Sequence, residues 1–97
     1  MVQTVVTITL PPGSQRILFE KPRSLHRVFF GITVLAGDTV WRESWISFDD
    51  PSFSSYYVLD GQFKHFETKG EEISQGDIWV RNSSGISLLY SATEILA

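Results

Sequence analysis

Between Gln3 and Leu10 the chain alternates: Thr4, Val6, Ile8 and Leu10 fall on one side of a pleat, and Gln3, Val5, Thr7 and Thr9 on the other. A period of two is the mark of a strand. "PPGS" (Pro11–Ser14) ends the run, because neither proline can donate to a ladder. Arg16–Glu20 is a short second run, broken by "KPRS" at Lys21–Ser24, and a third, His26–Ala36, sets Val28, Phe30, Ile32 and Val34 on one face. The Gly-Asp pair of "AGDT" (Ala36–Thr39) predicts a tight hairpin turn into a fourth run, Val40–Phe48. There Ile46 and Phe48 share one face while Trp41 and Trp45 share the other, so both faces carry large apolar groups and both are expected to be covered.

The longest polar break, "DDPSFSS" (Asp49–Ser55), precedes "YYVL" (Tyr56–Leu59). Asp60-Gly61 then predicts a hairpin that pairs this run antiparallel with "QFKHFET" (Gln62–Thr68). "KGEEISQG" (Lys69–Gly76) reads as a polar connection with a brief strand around Ile73, and the closing runs Asp77–Asn82 and Ile86–Leu96 flank a polar turn. Apolar residues at helical spacing are scarce throughout. Strands recurring every 8–12 residues or so, with turn residues between them, favour an all-β fold. The expectation is a single antiparallel β-sandwich, jelly-roll-like, of about eight strands, filling one domain over residues 1–97.

Composition narrows the function. The chain has 97 residues, 42% of them hydrophobic, and no window apolar enough to span a bilayer, so no membrane partner is expected. "MVQTVVTITL" lacks the basic leader of a signal peptide and reads as part of the fold. With no cysteine there is neither a disulfide framework nor a thiol ligand or nucleophile. The net charge is −3, and the eight basic residues (Arg16, Lys21, Arg23, Arg27, Arg42, Lys64, Lys69 and Arg81) are scattered instead of forming a phosphate-neutralising stripe. That argues against nucleic acid.

Each candidate for chemistry has a structural counterpart. His26 and His65 lie far apart, and adding Glu67, Asp49 or Asp50 makes no metal-ligand spacing; two partly exposed strand residues account for them. The adjacent carboxylates Asp49 and Asp50 could attract calcium with Glu43 or Glu71, but Asp before Pro commonly opens a turn by bonding nearby N–H groups, and the turn is preferred. Glu71-Glu72 reads as a wet loop, not an acid–base pair. Serines are numerous, Ser44, Ser47, Ser52, Ser54, Ser55, Ser83 and Ser84 among them, but there is no G-x-S-x-G elbow, and no glycine-rich phosphate cradle occurs. Asn82-Ser83-Ser84 matches a glycosylation acceptor, yet Asn-Ser-Ser-Gly is also what a loop wants. The chain is expected to be non-enzymatic and to need no cofactor.

The aromatic content, 13%, is high for so small a body. Trp41 and Trp45, with Tyr56, Tyr57 and Trp79 possible neighbours, would serve as a stacking platform for sugar rings, as an interface to another protein, or as plain core.

Taken together, "PPGSQRILFEKPRSLHRVFFGITVLAGDTVW", "SWISFDDPSFSSYYVLDGQ" and "QGDIWVRNSSGISLLYSATEIL" resemble the small β-sandwich accessory proteins of tailed-bacteriophage particles, namely head decoration or cement proteins and related tail and fibre modules. The resemblance covers most of the chain and lies in the "G-D-I-W-V-x-N" strand, the short polar loop, the alternating last strand and the "T-E-I-L" end. It implies a virion structural protein, assembled in the host cytoplasm, that binds the major capsid protein or other virion proteins and itself as a homo-oligomer. Trp41, Trp45, Phe53, Tyr56 and Tyr57 are the candidate interface anchors. The alternative is a carbohydrate- or receptor-binding module of a phage tail or fibre.

Overall fold

A computed structural model describes residues 1–35, 40–68 and 73–97. Among the described residues there are eight strands: β1 (Val2–Leu10), β2 (Gln15–Phe19), β3 (Arg27–Val34), β4 (Ser44–Phe48), β5 (Tyr57–Val58), β6 (Phe63–Glu67), β7 (Ile78–Asn82) and β8 (Leu88–Leu96). They form two antiparallel four-stranded sheets, ordered β1-β8-β3-β6 and β2-β7-β4-β5. This strand order is that of a jelly roll, so the all-β sandwich read from the sequence is the fold of the chain.

The expected hairpins are not there. β5 pairs with β4 while β6 pairs with β3, so Asp60-Gly61 carries the chain from one sheet to the other instead of closing a hairpin. The closing strands β7 and β8 likewise lie in different sheets. The Gly37-Asp38 turn falls outside the described residues, but the strands on either side of it, β3 and β4, also belong to different sheets. Among the described residues only β4 and β5 are both consecutive and paired. Two local elements differ as well. Val40–Glu43 is a 3₁₀ turn and not the start of a strand, and Ile73 is buried outside any strand.

The core is built from one row of each strand. From the first sheet come Phe30, Ile32, Val34, Phe66, Leu88, Tyr90 and Ala92, and from the second Phe19, Ile46, Ile78 and Val80. Phe30 meets Phe66 in a stacked pair at 6.0 Å and Phe19 edge-on at 6.1 Å, geometries that add to the gain from burial. One polar pair crosses this interior: Ser44 Oγ and the Tyr90 hydroxyl lie 2.7 Å apart.

Polar side chains pin each end of the sandwich. In the pairing of β3 with β8, Arg27 matches Leu96 and Phe29 matches Ile95, which leaves Val28 as a bulge residue. The extra residue turns the Arg27 side chain inward, where it is fully buried. Its guanidinium bonds Glu94 and donates to the carbonyls of Ser74, Gly76 and Glu20. At the opposite end, buried Asn82 donates from Nδ2 to the carbonyls of Leu10 and Ile86 at 2.9 and 2.8 Å, and its Oδ1 accepts the N–H and hydroxyl of Ser84. The buried donors satisfy carbonyls that would otherwise be orphaned.

Candidate functional site: the aromatic outer faces

The register of the second sheet settles which side chains face away from the core. Trp45 is opposite Arg81, which is opposite Gln15; Ser47 is opposite Trp79, which is opposite Ile17. Directly paired residues point to the same side, so these six share the outer face. The indole of Trp45 stacks on Tyr56 with centroids 4.2 Å apart and planes 13° from parallel, and the Arg81 guanidinium carbon lies 6.0 Å from the Trp45 ring. Arg81 is itself held by Gln15 (Nη1 to Oε1, 3.1 Å), and Gln15 donates from Nε2 to the Pro51 carbonyl at 2.6 Å.

The loop between β4 and β5 delivers Tyr56 to this stack. The Asp50 carboxylate accepts the N–H groups of Ser52, Ser54 and Ser55 at 3.1, 2.9 and 3.2 Å, together with the hydroxyls of Ser52 and Ser54. Those donors, the Ser52 and Ser54 hydroxyls foremost, hold its carboxyl well below the usual carboxylate range. From beneath, buried Ser47 donates to the Asp50 carbonyl at 2.7 Å, and Phe53 takes a left-handed backbone (φ 54°) that leaves its ring buried. The turn reading of "DDPSFSS" is therefore what the chain does. Asp49 serves a second connection, accepting the Asp77 N–H at 2.8 Å.

A second aromatic cluster lies on the outside of the first sheet. His65 is stacked between Phe29 (6.0 Å, 14°) and Phe63 (5.4 Å, 23°), with Glu67 Oε1 3.7 Å from its Nε2. The rings close over Gly31, where a Cβ would stand 2.9 Å from Phe29 Cε1 and 3.0 Å from Phe63 Cε1. Glycine is thus the residue that lets them pack against the sheet. Val5 and Ile95 continue the apolar surface across β1 and β8.

Of the five anchors read from the sequence, the fold brings Trp45 and Tyr56 together on the outside and separates the other three. Trp41 does not share a strand face with Trp45: it sits in the 3₁₀ turn, packs against the margin of the core, and has Arg42 over its ring at 5.0 Å. Phe53 is 6% exposed, which leaves little of its ring for a partner to cover. Tyr57 lies in the inward row of β5, opposite Ile46, and its ring closes the flank of the core against Phe48 and Phe66 at 5.6 and 5.2 Å, though it remains 43% exposed. Sequence reasoning missed Arg81, Ile17 and the Phe29–His65–Phe63 cluster as surface features. Alternation alone puts Phe63, His65 and Glu67 on one strand face, but Phe29 comes from a strand whose pairing is not visible locally.

The remaining candidates are occupied structurally. Asn82 is fully buried with its amide in use, which leaves no room for a glycan. His26 forms a backbone pair with Ala97 (3.0 and 2.8 Å). Among the described residues no group of three or more His, Asp or Glu is placed to hold a metal ion. What the outer faces offer is aromatic surface with a few fixed polar groups, which suits burial against another molecule. No protein-family model matches the chain, and no curated protein matches it in sequence.

Proposed function

We propose that this chain is a non-enzymatic structural component of a tailed-phage particle, a capsid decoration or cement protein that stabilises the head by binding the major capsid protein and itself. The observation that carries the reading is the Trp45–Tyr56 stack, built on the outside of the second sheet by a loop whose own polar groups are internally satisfied. An aromatic pair that the core does not need is available as an anchor. Jelly rolls recur in viral shells, which supports the same reading at the level of the fold alone. A contact of this kind has to bury on the order of 1,000 Å² to hold, and repetition over a shell multiplies it through avidity.

The test mixes the purified protein with shells assembled from the major capsid protein of the phage proposed to carry it, and pellets them. Saturable retention that is lost in Trp45→Ala/Tyr56→Ala supports the proposal. Failure to pellet at any concentration overturns it. A second reading, a carbohydrate- or receptor-binding module of a tail or fibre, is favoured by one feature: Tyr56, whose ring stacks on Trp45, is 42% exposed as a residue. Quenching of tryptophan fluorescence by a member of a glycan panel would select it.

A further inference from the structure

A sheet edge presents unpaired N–H and C=O groups and accepts another strand unless something blunts it. The four edges of this sandwich, β1, β6, β2 and β5, are not alike. β2 has five residues, carries Arg16, is irregular between Ile17 and Phe19, and runs into Glu20-Lys21-Pro22. β5 is two residues long. β6 carries Lys64, His65 and Glu67. Each of these has a recognised device against strand addition: brevity, a bulge, or charge.

β1 has none of them. It runs nine residues, Val2–Leu10, in unbroken register with β8, and contains no charge, proline or glycine. Seven of the nine are β-branched: Val2, Thr4, Val5, Val6, Thr7, Ile8 and Thr9. Among the described residues no strand lies on its far side. The side chains are open too: Val2 and Val5 are 48% and 56% exposed, and inward-row Val6 and Ile8 are only partly buried.

We infer that β1 is a self-association edge, pairing antiparallel with β1 of a second copy about a two-fold axis normal to the sheet. Such an axis keeps inner rows inner, so the two first sheets join into one continuous sheet. With the axis at Val6, Val6 meets its own copy, Thr4 meets Ile8, and Val5 meets Thr7, all of them β-branched cross-strand pairs of the stabilising kind. The occupant follows from charge. The chain's net −3 lies entirely outside this strand, so nothing at the edge opposes an identical copy, whereas a charged partner strand would find no complement there. This assignment deepens the self-association part of the proposed function by naming the surface.

Sedimentation velocity on the purified protein from micromolar to millimolar concentration, combined with amide hydrogen exchange, tests it. A monomer–dimer equilibrium is expected, with β1 amides gaining protection as the dimer fills. Val5→Lys/Thr7→Lys, two outer-row positions beside the axis, weakens the dimer by about tenfold or more while leaving the circular dichroism unchanged. Gln3→Lys/Thr9→Lys, in the same row, replaces that variant should it perturb folding. A protein that stays monomeric throughout, an oligomer indifferent to both variants, or β1 protection that appears only with a different chain would overturn the inference. Loss of the dimer with shell binding intact supports the edge, and a dimer without shell binding removes only the capsid reading.

Discussion

Arg27 Nη2 lies 2.8 Å from Glu94 Oε2 across the pairing of β3 with β8, with the guanidinium wholly buried and the carboxylate nearly so. Removing one partner of a buried pair strands the other charge, so Glu94→Leu should cost about 3–5 kcal/mol. Elsewhere, replacing both members with apolar residues is often harmless. Here it should not be, because Arg27 also satisfies the carbonyls of Ser74, Gly76 and Glu20. Urea unfolding of Glu94→Leu, Arg27→Leu and the double variant checks this. A double variant as stable as the original would show those carbonyls to be dispensable.

The Asp50 loop makes stability depend on acid. Its folded carboxyl sits below the unfolded value, so the contribution is complete above the unfolded pKa of about 4 and fades as pH falls through the lower folded value. Asp50→Asn lacks the charge at every pH. The gap in melting temperature between the two proteins should therefore be constant above pH about 5 and shrink below about 4. A gap that does not change with pH would mean that the loop is held by something other than that carboxylate.

Tyr90 gives the complementary dependence at high pH. Burial pushes its phenol above the ordinary value of 10.0, against the opposing bond from Ser44, so the fold favours the neutral form. Stability from this group is present below about pH 10 and is lost as pH rises toward the folded value. Tyr90→Phe should flatten that alkaline slope. At neutral pH it should cost about 1–2 kcal/mol by leaving the Ser44 hydroxyl without its partner, and Tyr90→Phe/Ser44→Ala should recover part of the loss. Denaturant titrations at pH 7 and pH 11 decide both points.

The two tryptophans of "VWRESW" should separate in the same way. Trp41→Ala opens the margin of the core and should destabilise by about 2 kcal/mol or more, whereas Trp45→Ala mainly loses the Tyr56 stack, at about 0.5–1.5 kcal/mol. Binding to a partner should follow the opposite order. Equal losses of stability in both variants would return Trp45 to the core.

Strand content, most strand positions and the side of each strand that is buried follow from local pattern. Phe30, Ile32 and Val34 point inward because alternate side chains of a strand share a face, and Asp50 closes its turn with hydrogen bonds that reach no further than Ser55. What lay beyond the sequence was the partner of each strand. A Gly-containing turn specifies that the chain reverses, but a hairpin and a step across to a facing sheet begin with the same reversal. The choice between them depends on which apolar faces can be buried together, and that involves residues as distant as Val2 and Leu96. The same holds at finer scale for the site. A period of two put Trp41 beside Trp45 until a 3₁₀ turn rotated it away, and one bulge residue, Val28, turned Arg27 from the surface into the interior. Both are departures from regular pleating that packing stabilises and that local propensity does not record.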